Sequence, residues 1–245
     1  MRESTPPLNA APNFRDLSEH VRASIAMRPR TLFRSDHLGA LGDKDAQQIQ
    51  ALGVRRVLDF RGVDERRSAV CKLPDVAVHS LAIEPTIVQV LSDLLSAGRR
   101  LTPADVVAHM QDTYRGFVRQ HTDRFAEFFR HLLASSEPTV FHCTAGKDRT
   151  GFAAALVLRA LGASQQDVLR DYLLTNQRLK APPGTAWGLS PEVAAVLWSV
   201  RPEFLQASFD AVEQDHGSLE AYLRDGLRLG EPERKELRRL YLLQG

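Results

Sequence analysis

The sequence predicts an α/β fold: a central, mostly parallel sheet flanked by helices, followed by a helical C-terminal part. Two observations carry this. Apolar segments run in the order strand, helix, strand, strand, helices, strand, helix as far as Leu161, which is how parallel strands joined by crossover helices are written. From Ser190 onward helical patterns dominate.

The elements follow in order. Thr31–Arg34 is a short strand candidate. Asp43–Leu52 is helical, with Leu41, Ile49 and Leu52 as its apolar positions, and Gly53 stops it. Val54–Phe60 and Val76–Ile83 read as strands. Ile87, Val90, Leu91, Leu94 and Leu95 form a helical stripe within Glu84–Gly98. Thr102 as N-cap with Pro103 opens another helix. Thr122–Ala134 is a further amphipathic helix, carrying Phe125, Phe128, Phe129, Leu132 and Leu133.

Thr139–His142 is a strand that runs into a loop, and Gly151–Leu161 is apolar on all sides, as a buried helix is. Ser164 with Asp167 three positions on resembles a capping box and starts a helix through Thr175. Lys180–Gly188 is a loop around Pro182-Pro183-Gly184. Ser190-Pro191-Glu192 begins the next helix, and Gly217, Gly226 and Gly230 break those that follow.

With 245 residues, 43% of them hydrophobic, the chain suits one domain over residues 1–245 with a sizeable core. Its 32 basic and 30 acidic residues leave a net charge of +2, which calls for neither nucleic acid nor a membrane surface as partner. Two cysteines, Cys71 and Cys143, are too few for a disulfide framework. Met1–Asn13 lacks the apolar core of a signal peptide, and the run Phe152–Leu158 is too short to span a bilayer. The expectation is a cytoplasmic protein without stable membrane insertion; export without a cleaved signal would leave the same features.

The chemistry concentrates at His142-Cys143-Thr144-Ala145-Gly146-Lys147-Asp148-Arg149-Thr150. A cysteine nucleophile has to be a thiolate, and a helix N-terminus with cations nearby favours that form. Thr144 to Arg149 can curl so that backbone N–H groups face inward as an anion nest, with Ala145 and Gly146 small enough for close approach. Arg149, separated from Cys143 by five residues on the other side of one loop turn, supplies a planar bidentate donor to phosphate. Thr150 offers a hydroxyl to the sulfur as it leaves, and Asp148 is an acid within the loop itself. A lone cysteine after an apolar strand is ordinarily a core residue. It is the joint occurrence of these neighbours that marks a site.

His142 to Gly151 resembles the signature of the protein tyrosine phosphatase superfamily: Cys, any five residues, Arg, then Ser or Thr. The form Ala145-Gly146-Lys147-Asp148-Arg149-Thr150-Gly151 resembles the bacterial and fungal branch that includes a secreted mycobacterial tyrosine and lipid phosphatase. The resemblance extends to Asn13-Phe14-Arg15-Asp16-Leu17, Leu32-Phe33-Arg34-Ser35, Leu58-Asp59-Phe60-Arg61 with Glu65, and Tyr172-Leu173-Leu174-Thr175-Asn176. Towards the C-terminus it takes in Gly217-Ser218 with Tyr222-Leu223. Ser18-Glu19, where glycines are usual, and Phe60, where leucine is common, depart from the pattern outside the chemistry.

The resemblance implies a cysteine-phosphatase fold with Cys143 as nucleophile, Arg149 as phosphate clamp and Asp148 as general acid. It implies that Lys147 reaches the substrate and pairs with Asp59. It also implies that residues 84–116 form a helical lid and that 182–245 complete the domain. Thr144, Ala145, Gly146, Lys147, Thr150 and Asp59 are then the phosphate- and substrate-binding set.

The implied reaction is phosphomonoester hydrolysis through a cysteinyl-phosphate, with no metal or other cofactor. The implied partner is a phosphorylated protein or a phosphoinositide, and the choice between them stays open. Asp64, Asp75, Asp93, Asp105 and Asp112 are rival acids. Sulfur transfer or arsenate reduction is a second enzyme class using similar loops, and a non-catalytic phosphate-binding module is a third reading. The histidines show no metal-ligand spacing. His142 is expected to hold the loop.

Overall fold

A computed structural model describes residues 5, 8–21, 23–84, 86–180 and 189–243, apart from the side chains at 86, 88, 89, 92 and 95. Five strands form one sheet: β1 (Arg15–Asp16), β2 (Leu32–Ser35), β3 (Arg56–Asp59), β4 (Ala77–Ser80) and β5 (Thr139–His142), in spatial order β1-β2-β5-β3-β4. Only β1 runs antiparallel to its neighbour. The expected mostly parallel sheet is therefore what forms.

The alternation of side chains along each strand divides the core in two. Phe33, Val57 and Val140 face a cluster with Phe14, Leu38 and Ile49, beneath helix α1 (Asp43–Ala51). Leu32, Leu58 and Phe141 face the larger cluster on the other side. Gly53, at φ +81°, ends the turn after α1 as expected. The short helix α2 (Val63–Ser68) follows β3, and α3 (Thr86–Ser96) follows β4.

The two helices expected from Thr102 and from Thr122 are one, α4 (Pro103–Ala134), bent at His121 where the backbone leaves helical values (φ −128°, ψ 15°). Thr102 caps it, in a reciprocal box with Asp105. Of the segment 84–116, the part inside α4 buries Val106, Met110 and Tyr114 in the core. In α3, Leu91 is buried, Ile87 half-buried and Val90 exposed.

Helix α5 (Asp148–Ala160) begins three residues before the expected start and is buried nearly throughout. In α6 (Gln165–Arg178) Ser164 caps the Asp167 N–H, but the Asp167 carboxylate turns to Ser24 and Arg170, so the capping box is one-sided. The expected loop around Pro182-Pro183-Gly184 lies outside the described residues.

Helices α7 (Pro191–Leu197), α8 (Pro202–His216), α9 (Leu219–Ala221) and α10 (Glu231–Tyr241) complete the chain, with a π turn at Tyr222–Gly226. Among the described residues, no helix is long and apolar enough to cross a membrane.

The register sets the site. Ser35, His142 and Asp59 stand level on three adjacent parallel strands. The loop after β5 thus leaves the carboxyl edge of the sheet at its centre, where open α/β sheets place ligands.

Candidate active site

The loop between β5 and α5 is shaped from behind. The Thr144 carbonyl accepts the His37 N–H at 3.0 Å. Asn13 Nδ2 donates to the carbonyls of Ala145 and Gly146, both at 2.9 Å, and Arg34 Nη2 donates to that of Gly146 at 2.8 Å. With three successive carbonyls drawn outward, the peptide N–H groups turn into the bowl. Among the described residues no carbonyl accepts the N–H groups of Thr144 to Lys147, which leaves them to an anion. Gly146 is required twice. Its φ is +64°, and a Cβ there would lie 2.2 Å from the Ser35 carbonyl oxygen.

The supports are themselves braced by a buried carboxylate. Asp171 on α6 accepts Arg15 Nε at 2.9 Å and Arg34 Nη1 at 2.6 Å, and Arg15 Nη1 holds Asn13 Oδ1 at 2.5 Å. Burial opposes the Asp171 charge. The adjacent Arg15 and Arg34 outweigh it and take its pKa down to about 2. Burial, together with the like charge of Arg34, brings Arg15 down to about 10.

Cys143 is buried at the base of a pocket of about 250 Å³. His142, wholly buried and with its pKa lowered by that burial, fixes the backbone through Nδ1 at 2.9 Å from the Cys143 carbonyl oxygen. This is the loop-holding role expected of it, exerted on the main chain.

Arg149 crosses the pocket floor. Glu65 takes Nη1 and Nη2, and the Ile83 carbonyl also accepts from Nη1 at 2.7 Å. No described residue accepts the Nε–H, which lies parallel to the second Nη2–H and so forms with it the bidentate edge that suits a phosphate. Burial works against the guanidinium charge, but Glu65, Cys143 and Asp148 raise its pKa above the ordinary value. Burial likewise opposes the Glu65 charge. The bond and charge of Arg149, with donors from Thr144 and Gly62, hold it down at about 2.

Asp148 is the first residue of α5 and lines the pocket, with Tyr114 Oη 3.0 Å from its Oδ1. None of the five rival acids lines it. Asp64 and Asp112 pair with Arg67 and Arg115 at the surface, and Asp105 caps α4.

Three expectations are corrected. Lys147 lines the pocket, but it does not pair with Asp59. Its ammonium donates to the carbonyls of Leu197 and Ser199 at the end of α7, where unpaired carbonyls attract a cation, and lies 3.5 Å from Asp148 Oδ2. Asp59 does not touch the pocket; its carboxylate is occupied by Arg61 through Nε at 3.0 Å, Nη2 at 2.7 Å and the backbone N–H at 2.9 Å. Burial opposes the Asp59 charge, but those bonds and the nearby His142 keep its pKa below the ordinary value. Thr150 Oγ1 has no hydrogen-bond partner among the described residues, so the expected bond to the Cys143 sulfur is not formed. That side chain is wholly buried.

The rest of the pocket wall is mostly apolar, with Ile87 and Leu91 from α3, Met110 and Phe117 from α4, and Leu197 with Trp198 at the end of α7, beside the polar Glu84 and Thr113. Ile87, Leu91 and Met110 lie in the segment expected to cover the site, but Phe117, Leu197 and Trp198 were not expected there, because residues so far apart in the chain carry no shared motif. The sequence reading also left Glu65, Asn13, Arg15 and Arg34 without roles, although they stand in the very blocks that carried the resemblance.

A family model described as the tyrosine phosphatase family matches residues 6–243. A protein of Cupriavidus necator provisionally named a tyrosine-protein phosphatase is 36% identical over 230 residues, which cover 89% of this chain and 82% of that protein. The Mycobacterium tuberculosis protein named triple specificity protein phosphatase PtpB is 32% identical over 257 residues, covering 89% of this chain and 92% of that one. The crystal structure of Pseudomonas aeruginosa TpbA aligns with 73% of this chain and 86% of its own at 21% identity and a TM-score of 0.30, a likeness too loose to bear on the chemistry.

Proposed function

Because the chain belongs to the tyrosine phosphatase family, we propose that it hydrolyses phosphate monoesters, phosphotyrosine first among them, through a cysteinyl-phosphate on Cys143. The observation that carries the reading is the pocket itself. Cys143 and Asp148 line it, and the unpartnered N–H groups of the loop and the open edge of Arg149 are the donors that would suit one phosphate.

In the first step the Cys143 sulfur attacks phosphorus in line. The S–P bond forms as the P–O bond to the leaving group breaks, and Asp148 gives its proton to the departing oxygen. In the second step water attacks phosphorus and Asp148 takes back a proton. The S–P bond breaks, releasing phosphate and the thiolate. The N–H groups and Arg149 hold the equatorial oxygens through both steps, where charge is greatest. Lys147, on the pocket wall, adds positive charge beside Asp148.

The walls favour an aryl phosphate. Ile87, Leu91, Met110 and Phe117 suit the ring of phosphotyrosine, whereas a phosphoinositide would set hydroxyls and further phosphates against them and against Glu84. Similarity to a protein named a triple specificity protein phosphatase supports more than one substrate class, and phosphoserine, phosphothreonine and phosphoinositides are the secondary candidates. Helix α3 is the candidate lid.

Cys143→Ser is expected to abolish turnover of an aryl phosphate while retaining phosphate binding. Asp148→Asn is expected to slow phenyl phosphate far more than a nitrophenyl ester, within the roughly hundred- to ten-thousand-fold range of a lost general acid. Wild-type turnover in the serine variant would refute the nucleophile, and equal losses on both esters would refute the acid. A panel of phosphopeptides and phosphoinositides compared by kcat/KM decides the substrate order.

A further inference from the structure

Asp148 is not the last polar group on its side of the pocket. Tyr114, from the first half of α4, places its hydroxyl 3.0 Å from Asp148 Oδ1, and Tyr172, from α6, places its own 2.6 Å from that of Tyr114. Both rings are buried. Helices α4, α5 and α6 thus line up three oxygens, those of Tyr172 and Tyr114 and the Oδ1 of the proposed acid.

The direction of the chain follows from the number of protons. A phenol has one hydrogen to give, and an ionised carboxylate can only accept. Tyr114 therefore donates to Asp148, and Tyr172 donates to Tyr114. Burial, and after it the charge of Asp148, pushes both phenols well above their ordinary pKa, so they stay protonated and the direction holds.

The geometry points to Tyr114 as a positioning residue for Asp148, with Tyr172 behind it, committing Oδ1 as an acceptor and leaving Oδ2 to carry the transferable proton. This rests on Asp148 being the acid of the proposed reaction. The other charged groups facing Asp148 are Lys147, 3.5 Å from Oδ2, and Arg149; Glu203 on α8 acts on Tyr172 from behind.

An independent observation concerns Gly151, which follows the loop and which phosphate chemistry does not need. A Cβ at Gly151 would lie 2.9 Å from Cε2 and 3.1 Å from Cδ2 of Tyr172. The bare backbone at this point of α5 is what lets the Tyr172 ring cross the helix and bring its hydroxyl to Tyr114.

The test uses Tyr114→Phe and Tyr172→Phe, which keep the rings and remove one hydroxyl each. Each is assayed over a series of aryl phosphates of graded leaving-group acidity, as a pH profile, and in combination with Asp148→Asn. For Tyr114→Phe, kcat/KM on phenyl phosphate should fall about ten- to a hundred-fold, the worth of one hydrogen bond to a charged group, with little loss on the best leaving group. The alkaline limb of the profile should move to higher pH, since the lost donor favoured the ionised carboxyl. Tyr172→Phe should act in the same direction and less.

In the Asp148→Asn background neither change should cost more. Equal losses on all esters, an unmoved alkaline limb, or losses that add fully to those of Asp148→Asn would overturn the proposal, whatever the melting temperatures of the variants. If Asp148→Asn alone shows no leaving-group dependence, the reading of Asp148 falls and this proposal with it. A normal Asp148 effect beside a silent Tyr114→Phe removes this proposal alone.

Discussion

Glu65 holds the far end of the Arg149 guanidinium, Oε2 to Nη1 at 2.7 Å and Oε1 to Nη2 at 2.8 Å, so the arginine meets phosphate only along its side edge. Removing the carboxylate charge frees the fork to swing. A hydrogen bond to a charged group contributes about 1.5–3 kcal/mol, so Glu65→Gln should lower kcat/KM roughly ten- to a hundred-fold. Inhibition by inorganic phosphate should weaken alongside. A variant with unchanged phosphate inhibition would show that Arg149 needs no such anchor.

Asp171 is the shared counter-charge of Arg15 and Arg34, all three buried. Asp171→Asn leaves two guanidinium groups in the core without an anion. Breaking a buried pair in this way costs about 3–5 kcal/mol. For a chain of this size the melting temperature should drop by roughly 6–20 °C, at about 2–4 °C per kcal/mol. A melt within a degree of wild type would mean that the network is held by its neutral bonds alone.

Gly146→Ala sets a methyl group against the Ser35 carbonyl and imposes a strained backbone. The loop can accommodate it only by turning a peptide, which takes N–H groups out of the bowl. Turnover and phosphate binding should be lost together while the thermal unfolding transition remains cooperative. Retained phosphate affinity would contradict the assignment of the N–H groups.

The buried Asp36 and the half-buried Glu65 carry opposite pH signatures. Asp36 is raised to about 7 by burial, which its bonds with Asn13 and Ser35 only partly offset. A carboxyl raised in the folded state binds more protons there, so its contribution is present below about 4 and is lost as pH rises through about 7. Glu65, lowered to about 2, contributes above its ordinary 4.5 and loses that contribution as pH falls towards about 2. Asp36→Asn should therefore flatten the decline of stability between about pH 4 and 7, measured by urea unfolding at stepped pH, and leave the acid limb in place. An unchanged slope would exclude Asp36 as its source.

Helix α3 should exchange its amide hydrogens faster than α5, because among its described side chains only Leu91 is buried. Vanadate in the pocket should slow that exchange if α3 closes over it. Protection equal to that of α5, indifferent to vanadate, would make α3 a fixed wall.

What the sequence made legible was local. Residues 139–161 announce strand, loop and helix because each signal lies within a few positions of the next. Gly53, Thr102 and Ser190 marked helix ends for the same reason. The single bent α4 was not legible, since an amphipathic stripe that shifts phase at His121 looks like two helices. The partner of Lys147 was not legible either. Several carboxylates could have reached it, and the groups that did were backbone carbonyls of Leu197 and Ser199, which no side-chain pattern encodes.

The bonds that shape the loop have a consequence for how activity appears during synthesis. Asn13 reaches Gly146 across 133 positions, and Arg15 reaches Asp171 across 156. A growing chain that has already delivered Cys143, Arg149 and every residue between them still lacks Asp171, and with it the brace for Arg15, Arg34 and Asn13. Closing such long loops is slow relative to local helix formation. The thiol should therefore stay an ordinary cysteine until α6 has docked. In a refolding experiment, the return of turnover would then report the latest tertiary contacts, well after helical circular dichroism has recovered.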